Sequence, residues 1–513
     1  MQKKRGMVYL VGAGPGDPEL ITVRGLKCIA RAEVLVYDRL ASPGLLHHAP
    51  SRCELVYAGK GPGAHTLKQA EINAILLARA REGRIVTRLK GGDPFLFGRG
   101  GEEAEYLAEH GIPFEVVPGV TSALAVPAAA GIPVTHRAYT SSLAIITGHG
   151  DPRKHGMDGV AWDKLSTGAG TLVLLMGRAN LAEITQKIME NGRSPRTPAA
   201  LISRGTMPQQ CTLCAPLGEI AAQAEQAVLP PPAILVIGEV VKLRQKLAWL
   251  EQKPLFGCRV VVTRPREQAA ALADAIAELG GEPLVIPLIT IAPPVDTAPL
   301  DRVIREISSY DWVIFTSVNG VKYFWERLRC LGRDIRGLKG ARLCAIGPAT
   351  CAALEGKGLR VDIVPSAYRA EGLLERLKDE IKPGEHVLLP RAAAARPLLP
   401  RALASLGARV THVEAYRTLP GKGDVSLLRS LLRERDVQVI TFTSPSTVRQ
   451  CLVLLGSEAG ELLQGVTLAS IGPITTAAAR SLGLEVDVEA DEYTIDGLVK
   501  ALLKWASDRT VCS

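Results

Sequence analysis

The stretch Arg259-Val-Val-Val-Thr-Arg-Pro-Arg-Glu-Gln-Ala-Ala-Ala-Leu-Ala-Asp-Ala-Ile-Ala-Glu-Leu-Gly-Gly-Glu-Pro-Leu-Val-Ile286 changes its periodicity twice. Val260–Thr263 is a β-branched run and reads as a strand. Gln268–Leu279 is rich in Ala and Leu and reads as a helix. Pro283–Ile286 reads as a second strand. Trp312–Thr316 is another strand, with a helix from about Gly320. Such alternation predicts βαβ units around a parallel sheet, hence an α/β fold.

The pattern then recurs. Arg259-Val-Val-Val-Thr-Arg-Pro pairs with His386-Val-Leu-Leu-Pro-Arg391, and Phe315-Thr-Ser with Phe442-Thr-Ser. Ile346-Gly-Pro-Ala-Thr pairs with Ile471-Gly-Pro-Ile-Thr. The last two offsets are 127 and 125 residues. This period is too long for a solenoid, so it predicts two similar α/β lobes. Ligands of such sheets bind at the carboxyl ends of the strands. The Phe-Thr-Ser and Ile-Gly-Pro-x-Thr segments belong at those ends, so a cleft between the lobes would be lined by paired hydroxyls.

The other half shows no comparable repeat. It opens with a strand, Val8–Val11, and the turn Gly12-Ala-Gly-Pro-Gly-Asp17. A second strand, Ile85–Leu89, leads into Gly91-Gly-Asp-Pro94. Pro118-Gly-Val-Thr-Ser-Ala, Gly131-Ile-Pro-Val-Thr-His-Arg and a strand over Thr171–Met176 follow. Pro254 and Gly257 punctuate the join between the halves, after a polar helical end.

Composition narrows the possibilities. The 513 residues suggest about three domains. Apolar residues at 47% and charged residues at 22% exclude disorder as the main state. Ser122–Val134 carries two internal prolines and falls short of a membrane span. The apolar run after Lys3, Lys4 and Arg5 is shorter than a signal-peptide core. Ten cysteines are too sparse for a disulfide scaffold, so a reduced, cytoplasmic protein is expected. The net charge of +9 divides into +7 over residues 1–253 and +2 over the rest. No basic stripe with interleaved aromatics is present, which argues against nucleic acid. The excess is either a solvated surface or an attraction for a polyanionic small molecule.

Several motifs have two readings. The Gly12–Asp17 turn follows a strand, yet Asp17 and Pro18 break the G-x-G-x-x-G fingerprint, which disfavours NAD. Such a turn suits close approach to an uncharged or cationic ligand. Gly91-Gly92-Asp93 is either a turn satisfying its own backbone or a site of close ligand approach. Cys211-Thr-Leu-Cys214 lacks partner ligands for zinc and reads as core cysteines on a strand. His47, His48 and His149 are isolated, and no metal is expected.

The N-terminal motifs, in their order, resemble the tetrapyrrole methylase superfamily, specifically its uroporphyrinogen-III C-methyltransferases. They are Val8–Pro18, Val36-Tyr-Asp-Arg-Leu-Ala-Ser, Arg88–Glu103, Val117–Ala123, Gly131–Arg137, Thr147-Gly-His and Met176-Gly. The C-terminal half resembles uroporphyrinogen-III synthases through its repeat and Glu414-Ala-Tyr416. The resemblance implies a methyltransferase over 1–245, a linker over 246–256 and a synthase over 257–513. It also implies a two-lobed methylase fold and, in the synthase, a pair of interleaved flavodoxin-like lobes.

The residue roles come from the same resemblance. S-adenosylmethionine would lie against Pro15, Gly91, Gly92, Asp93, Leu96, Thr121, Ser122, Met176 and Gly205. A sulfonium ligand has no phosphate, so Pro15 is acceptable in that turn. Asp93 would attract the cofactor's cationic end, and Met176 offers a soft apolar wall. Asp38 falls at the proposed base position, although by its sequence it also reads as a helix cap. Lys60 falls at the proposed proton-donor position, beside Gly61 where relatives are expected to have Arg. Arg88, Lys90 and Arg137 would bind the carboxylates of the tetrapyrrole. In the synthase, Tyr416 is the candidate acid, or else a core tyrosine. Ser317, Thr350, Ser444 and Thr475 surround the expected cleft.

These implications describe a bifunctional enzyme. It would cyclise hydroxymethylbilane to uroporphyrinogen III and methylate that twice to precorrin-2. A homodimer through the methylase half is the family expectation. The chain opens at the methylase motifs, so no dehydrogenase–chelatase module is expected. Oxidation and metal insertion, toward sirohaem or corrinoids, would fall to other proteins. The rivals are a methylase of a later precorrin, a non-catalytic tetrapyrrole-binding protein and an NAD-dependent oxidoreductase.

Overall fold

The structure is a computed structural model that describes residues 6–59, 67–148, 159–393, 395 and 397–511. It divides into two units. One comprises Met1–Cys258 with Leu279–Glu282, the other Arg259–Glu278 with Pro283–Ser513.

The first unit holds two five-stranded sheets. One is wholly parallel, in the order Glu54–Tyr57, Val34–Tyr37, Ile85–Lys90, Met7–Gly12, Phe114–Val117. Both its faces are covered. Val8, Leu10, Val34, Val36 and Val86 join one core, and Val11, Leu35, Leu89 and Val117 another. A strand buried on both faces loses its polar alternation, which explains the near-continuous apolar runs. The second sheet is mixed, in the order Leu143–Thr147, Thr171–Leu175, Ala233–Ile237, Pro198–Ser203, Cys211–Pro216. Only the first pair is parallel. The helix Ser122–Ala129 starts at the end of the parallel sheet and packs Ala123 and Val126 against the mixed one. Cys211 and Cys214 lie on a strand but are exposed, contrary to the core placement expected from their pattern. That strand is an edge, paired only with Pro198–Ser203 among the described residues. Among those residues no helix is long and apolar enough to cross a membrane.

The second unit also holds two sheets. The first runs Glu282–Val285, Arg259–Val262, Val439–Phe442, Thr467–Ser470, Val488–Glu489. Taken in chain order this is 2-1-3-4-5, the flavodoxin-like order. The second runs Ile289–Ala292, Arg409–Pro420, His386–Ala392, Trp312–Phe315, Arg342–Ala345. The chain therefore starts one lobe, builds all of the other, and returns to finish the first. Ile289–Ala292 and Arg409–Pro420, which lie where the chain passes between lobes, pair with each other antiparallel.

The repeat persists in individual hydrogen bonds. Asp362 Oδ2 accepts from Leu343 N at 2.7 Å, and Asp487 Oδ2 from Leu468 N at 2.7 Å. Ile346 N donates to Phe315 O and Ile471 N to Phe442 O, both at 3.0 Å. Each Ile-Gly-Pro glycine lies against a tyrosine: Gly347 against Tyr368, Gly472 against Tyr493.

Candidate functional sites

In the first unit, three strand-end turns converge. Ala13 N donates to Lys90 O at 2.7 Å, and Gly92 N to Gly14 O at 2.7 Å. A Cβ on Gly12 would stand 2.5 Å from Gly119 Cα, and one on Gly119 would stand 2.3 Å from Gly92 O. The turns approach so closely that no side chain fits at 12 or 119. Asp93 ties them: Oδ1 accepts from Phe95 N at 2.8 Å and Oδ2 from Gly119 N at 3.0 Å. A carboxylate offers about four lone-pair sites, so these bonds do not exhaust it.

The loop after Pro198–Ser203 meets this cluster. Asp17 N donates to Thr206 Oγ1 at 3.2 Å. A Cβ on Gly205 would fall 2.2 Å from Val126 Cγ1. Pro15, Leu96, Thr121 and Ser122 are half-buried around it, and Thr121 caps the helix Ser122–Ala129. Ser122 N lies 3.9 Å from the Cβ position of Gly92. Met176 ends the strand Thr171–Leu175, 51% exposed and with φ at 58°. Phe97, Arg99, Arg204 and Thr206 also have positive φ, and all belong to these same loops. Left-handed backbone at non-glycine residues costs energy and concentrates at functional sites. No sequence pattern announced the left-handed backbone of these residues.

The expected base follows the strand Val34–Tyr37. Asp38 Oδ1 accepts from Leu40 N at 3.3 Å, and Oδ2 faces Arg88 Nη2 at 3.4 Å. Asp38 is no helix cap, because the next helix begins at Pro43 with Ser42 before it. Arg88 and Lys90 are both 3% exposed. Glu103 Oε1 accepts from Arg88 Nε at 3.2 Å, Lys90 Nζ at 2.8 Å and Gln69 Nε2 at 3.1 Å. Glu103 is fully buried, and its Oε2 has no partner among the described residues. Burial, with Arg88 nearby, pulls the Lys90 ammonium below its usual value, and Glu103 opposes this. The sequence offered Arg88 and Lys90 as substrate contacts. The fold makes them a buried ion cluster whose outer end is Asp38. Arg137 is exposed on the loop around His136–Thr140 and makes no ion pair with this cluster among the described residues. Lys60, Gly61 and His149 lie outside the described residues.

In the second unit, Ser317 and Ser444 each precede a helix and accept from its backbone. Gly320 N donates to Ser317 at 3.0 Å, and Thr447 N to Ser444 at 3.4 Å. Ser317 Oγ also lies 2.9 Å from Tyr416 OH. Tyr416 is 8% exposed and stacks on Tyr323, with ring centroids 6.2 Å apart. Burial pushes its phenol above the usual tyrosine range, and the Ser317 hydrogen bond and Arg391 pull back. Thr350 and Thr475 occupy equivalent first turns but are 4% and 3% exposed. The structure thus joins Ser317 to Tyr416 and holds both threonines inside their helices.

Fold and sites together define a fusion of two small-molecule enzymes, each built around strand-end turns. Residues 7–221 match the family model of the tetrapyrrole (corrin/porphyrin) methylases, and 270–500 that of the uroporphyrinogen-III synthase HemD. The porphyrin biosynthesis protein HemD of Ruminiclostridium josui is 38% identical over 98% of this chain and 98% of its own. The chain belongs to this family, in which a tetrapyrrole methylase and a uroporphyrinogen-III synthase share one polypeptide. An S-adenosyl-L-methionine-dependent uroporphyrinogen III methyltransferase of Methanosarcina barkeri is 50% identical, covering 48% of this chain and 96% of its own. The crystal structure of the Thermus thermophilus uroporphyrin-III C-methyltransferase with S-adenyl homocysteine is 42% identical. It covers 46% of this chain and 100% of that one, with a TM-score of 0.40.

Proposed function

We propose that the second unit converts hydroxymethylbilane to uroporphyrinogen III, and that the first methylates this product twice, through precorrin-1 to precorrin-2. The observation that most supports the reading is the end-to-end similarity to a porphyrin biosynthesis protein carrying both modules.

S-adenosylmethionine fits the glycine-tied turns. They present close backbone, the apolar side chains of Leu96 and Met176, and the Asp93 carboxylate. Pro15, Gly91, Gly92, Asp93, Leu96, Thr121, Ser122, Met176 and Gly205 would hold it. The cofactor supplies an electrophilic methyl group on sulfur. Holding the pyrrole carbon in line with that methyl accounts for much of the rate. Asp38 takes the proton that the methylated ring sheds, and Arg88 orients its carboxylate. Lys60 remains the proposed proton donor.

In the synthase, Tyr416 donates a proton to the departing hydroxyl of the bilane, with Ser317 orienting the phenol. Loss of water leaves an electrophilic methylene, which the far end of the chain attacks with inversion of the last ring. Ser317 and Ser444, with helix N-termini, would border the strand-end surface that takes the substrate, with Thr350 and Thr475 buried in the helices beneath it.

The test is a coupled assay of the full chain with hydroxymethylbilane, with and without S-adenosylmethionine. Type III uroporphyrin without the cofactor and a dimethylated product with it are expected. Type I isomer alone would overturn the synthase assignment. Type III in both tubes would return the methylase to a later precorrin.

A further inference from the structure

Each lobe of the second unit has one point where its strand order reverses, and open α/β sheets bind ligands there. In one lobe this lies between Arg259–Val262 and Val439–Phe442. In the other it lies between His386–Ala392 and Trp312–Phe315. Each point carries a serine at the start of a helix, Ser444 in one and Ser317 in the other. Each also carries an arginine at the end of the first-named strand: Arg264 and Arg391. These arginines are 127 residues apart, the same offset that relates the two serines.

Neither arginine is a surface cation. Arg391 is 9% exposed and stands opposite Glu414 in the register with Arg409–Pro420, at a bulge directly before the pairing of Ala392 with Tyr416. Arg264 is half-buried and has no carboxylate partner among the described residues. Its Nη2 reaches only Gln268 Oε1, at 3.4 Å. Gln268 Nε2 then donates to Asn319 Oδ1 at 2.7 Å, across to the other lobe. A cavity of about 260 Å³ beside this bridge is lined by Gln268, Asn319, Lys322, Tyr323 and Lys422. Burial lowers both guanidinium groups from their usual value, and for Arg264 nothing offsets it. For Arg264, which has no carboxylate partner among the described residues, withdrawal from water is a cost that an incoming carboxylate relieves.

We propose that Arg264 and Arg391 form a two-point clamp, each taking one carboxylate arm of a linear tetrapyrrole at its lobe's reversal point. The spacing of the two points would select a chain long enough to bridge both lobes. The clamp rests on the synthase reading above, which supplies a substrate with eight acidic arms.

Arg264→Gln, Arg264→Lys and Arg391→Gln, made in the full chain, test it. Each Gln variant is expected to raise the KM for hydroxymethylbilane about tenfold or more, since a hydrogen bond to a charged group is lost. Its kcat should change much less. Arg264→Lys should recover part of the loss, because it keeps the charge without the fork. Methyl transfer to supplied uroporphyrinogen III should stay at the wild-type rate. An unchanged KM in either Gln variant overturns the clamp, and so does a loss that tracks a lowered melting temperature. If the wild type forms no type III isomer, the synthase reading fails, and titration calorimetry with uroporphyrin, an octacarboxylate, judges the clamp by itself. Disappearance of one binding event in Arg264→Gln supports it, and titrations identical to wild type overturn it.

Discussion

Asp38 stands at the rim of a cluster whose interior is Arg88, Glu103 and Lys90. Replacing it with Asn keeps the acceptor that bonds Leu40 N but removes the charge facing Arg88. Asp38→Asn is therefore expected to depress methyl transfer at least about a hundredfold, the lower range for general-base catalysis. S-adenosylhomocysteine affinity, read by calorimetry, should hold within a few-fold. Equal loss of both would make Asp38 structural. Tyr416 gives a second test. Its folded pKa is raised by burial above the unfolded value of about 10. Its stability contribution is thus fully present below pH ~10 and is lost as pH rises through the folded value. Urea unfolding should show wild type losing more stability than Tyr416→Phe between about pH 9 and 11. Parallel losses would contradict the shift. At this scale the sequence was partly legible. Asp38, Arg88 and Lys90 stand out beside strands and glycines. Their partner Glu103 reads as one acid among several on a helix, because only the packed fold reveals that it is fully buried. Positive φ at Met176 and Thr206 is invisible for a similar reason, since tertiary contacts impose it on residues with no preference for it.

Among elements, the strand ends carry the function. The runs Ile85–Lys90, Trp312–Phe315 and Arg259–Val262 fell within one residue of their sequence assignments, because β-branched runs bounded by Gly, Pro and Ser leave little latitude. The mixed sheet of the first unit was less legible. Alternating apolar character marks a strand without giving its direction, so the antiparallel pairing of Ala233–Ile237 with both neighbours had no signal. The exposed Cys211 and Cys214 follow from that same edge placement. The matched aspartates at the lobe edges make a test at this scale. Asp362→Ala leaves Leu343 N without its side-chain acceptor and should cost about 1–3 kcal/mol, with Asp487→Ala costing a similar amount at Leu468. Denaturant midpoints measure both. A large effect at one site and none at the other would mean that the lobes do not share this brace.

For the whole molecule, contacts divide the chain at Cys258. In the sequence the join falls at the polar run ending in Pro254 and Gly257, and the repeat reads as two lobes. The shared offset did not show where each lobe begins in the chain. Order in the sheet resolves this, with Arg259–Val262 equivalent to His386–Ala392 and Val439–Phe442 to Trp312–Phe315. Cutting the polypeptide near residue 250 is expected to yield two soluble pieces. One should make type III uroporphyrinogen and the other should methylate it, each at near the intact rate. Inactive or insoluble pieces would mean that the halves depend on each other.

Because the chain enters and leaves the second unit through the same lobe, the Trp312–Phe315 lobe contains neither end of that unit. A pulling force applied between residues 257 and 508 loads the outer lobe first, since its strands Arg259–Val262 and Val439–Phe442 lie directly in the force path. The inserted lobe bears tension only after that pair shears apart. Its own mechanical strength stays hidden behind its neighbour's, and an optical-tweezers trace should record two rips in an invariant order.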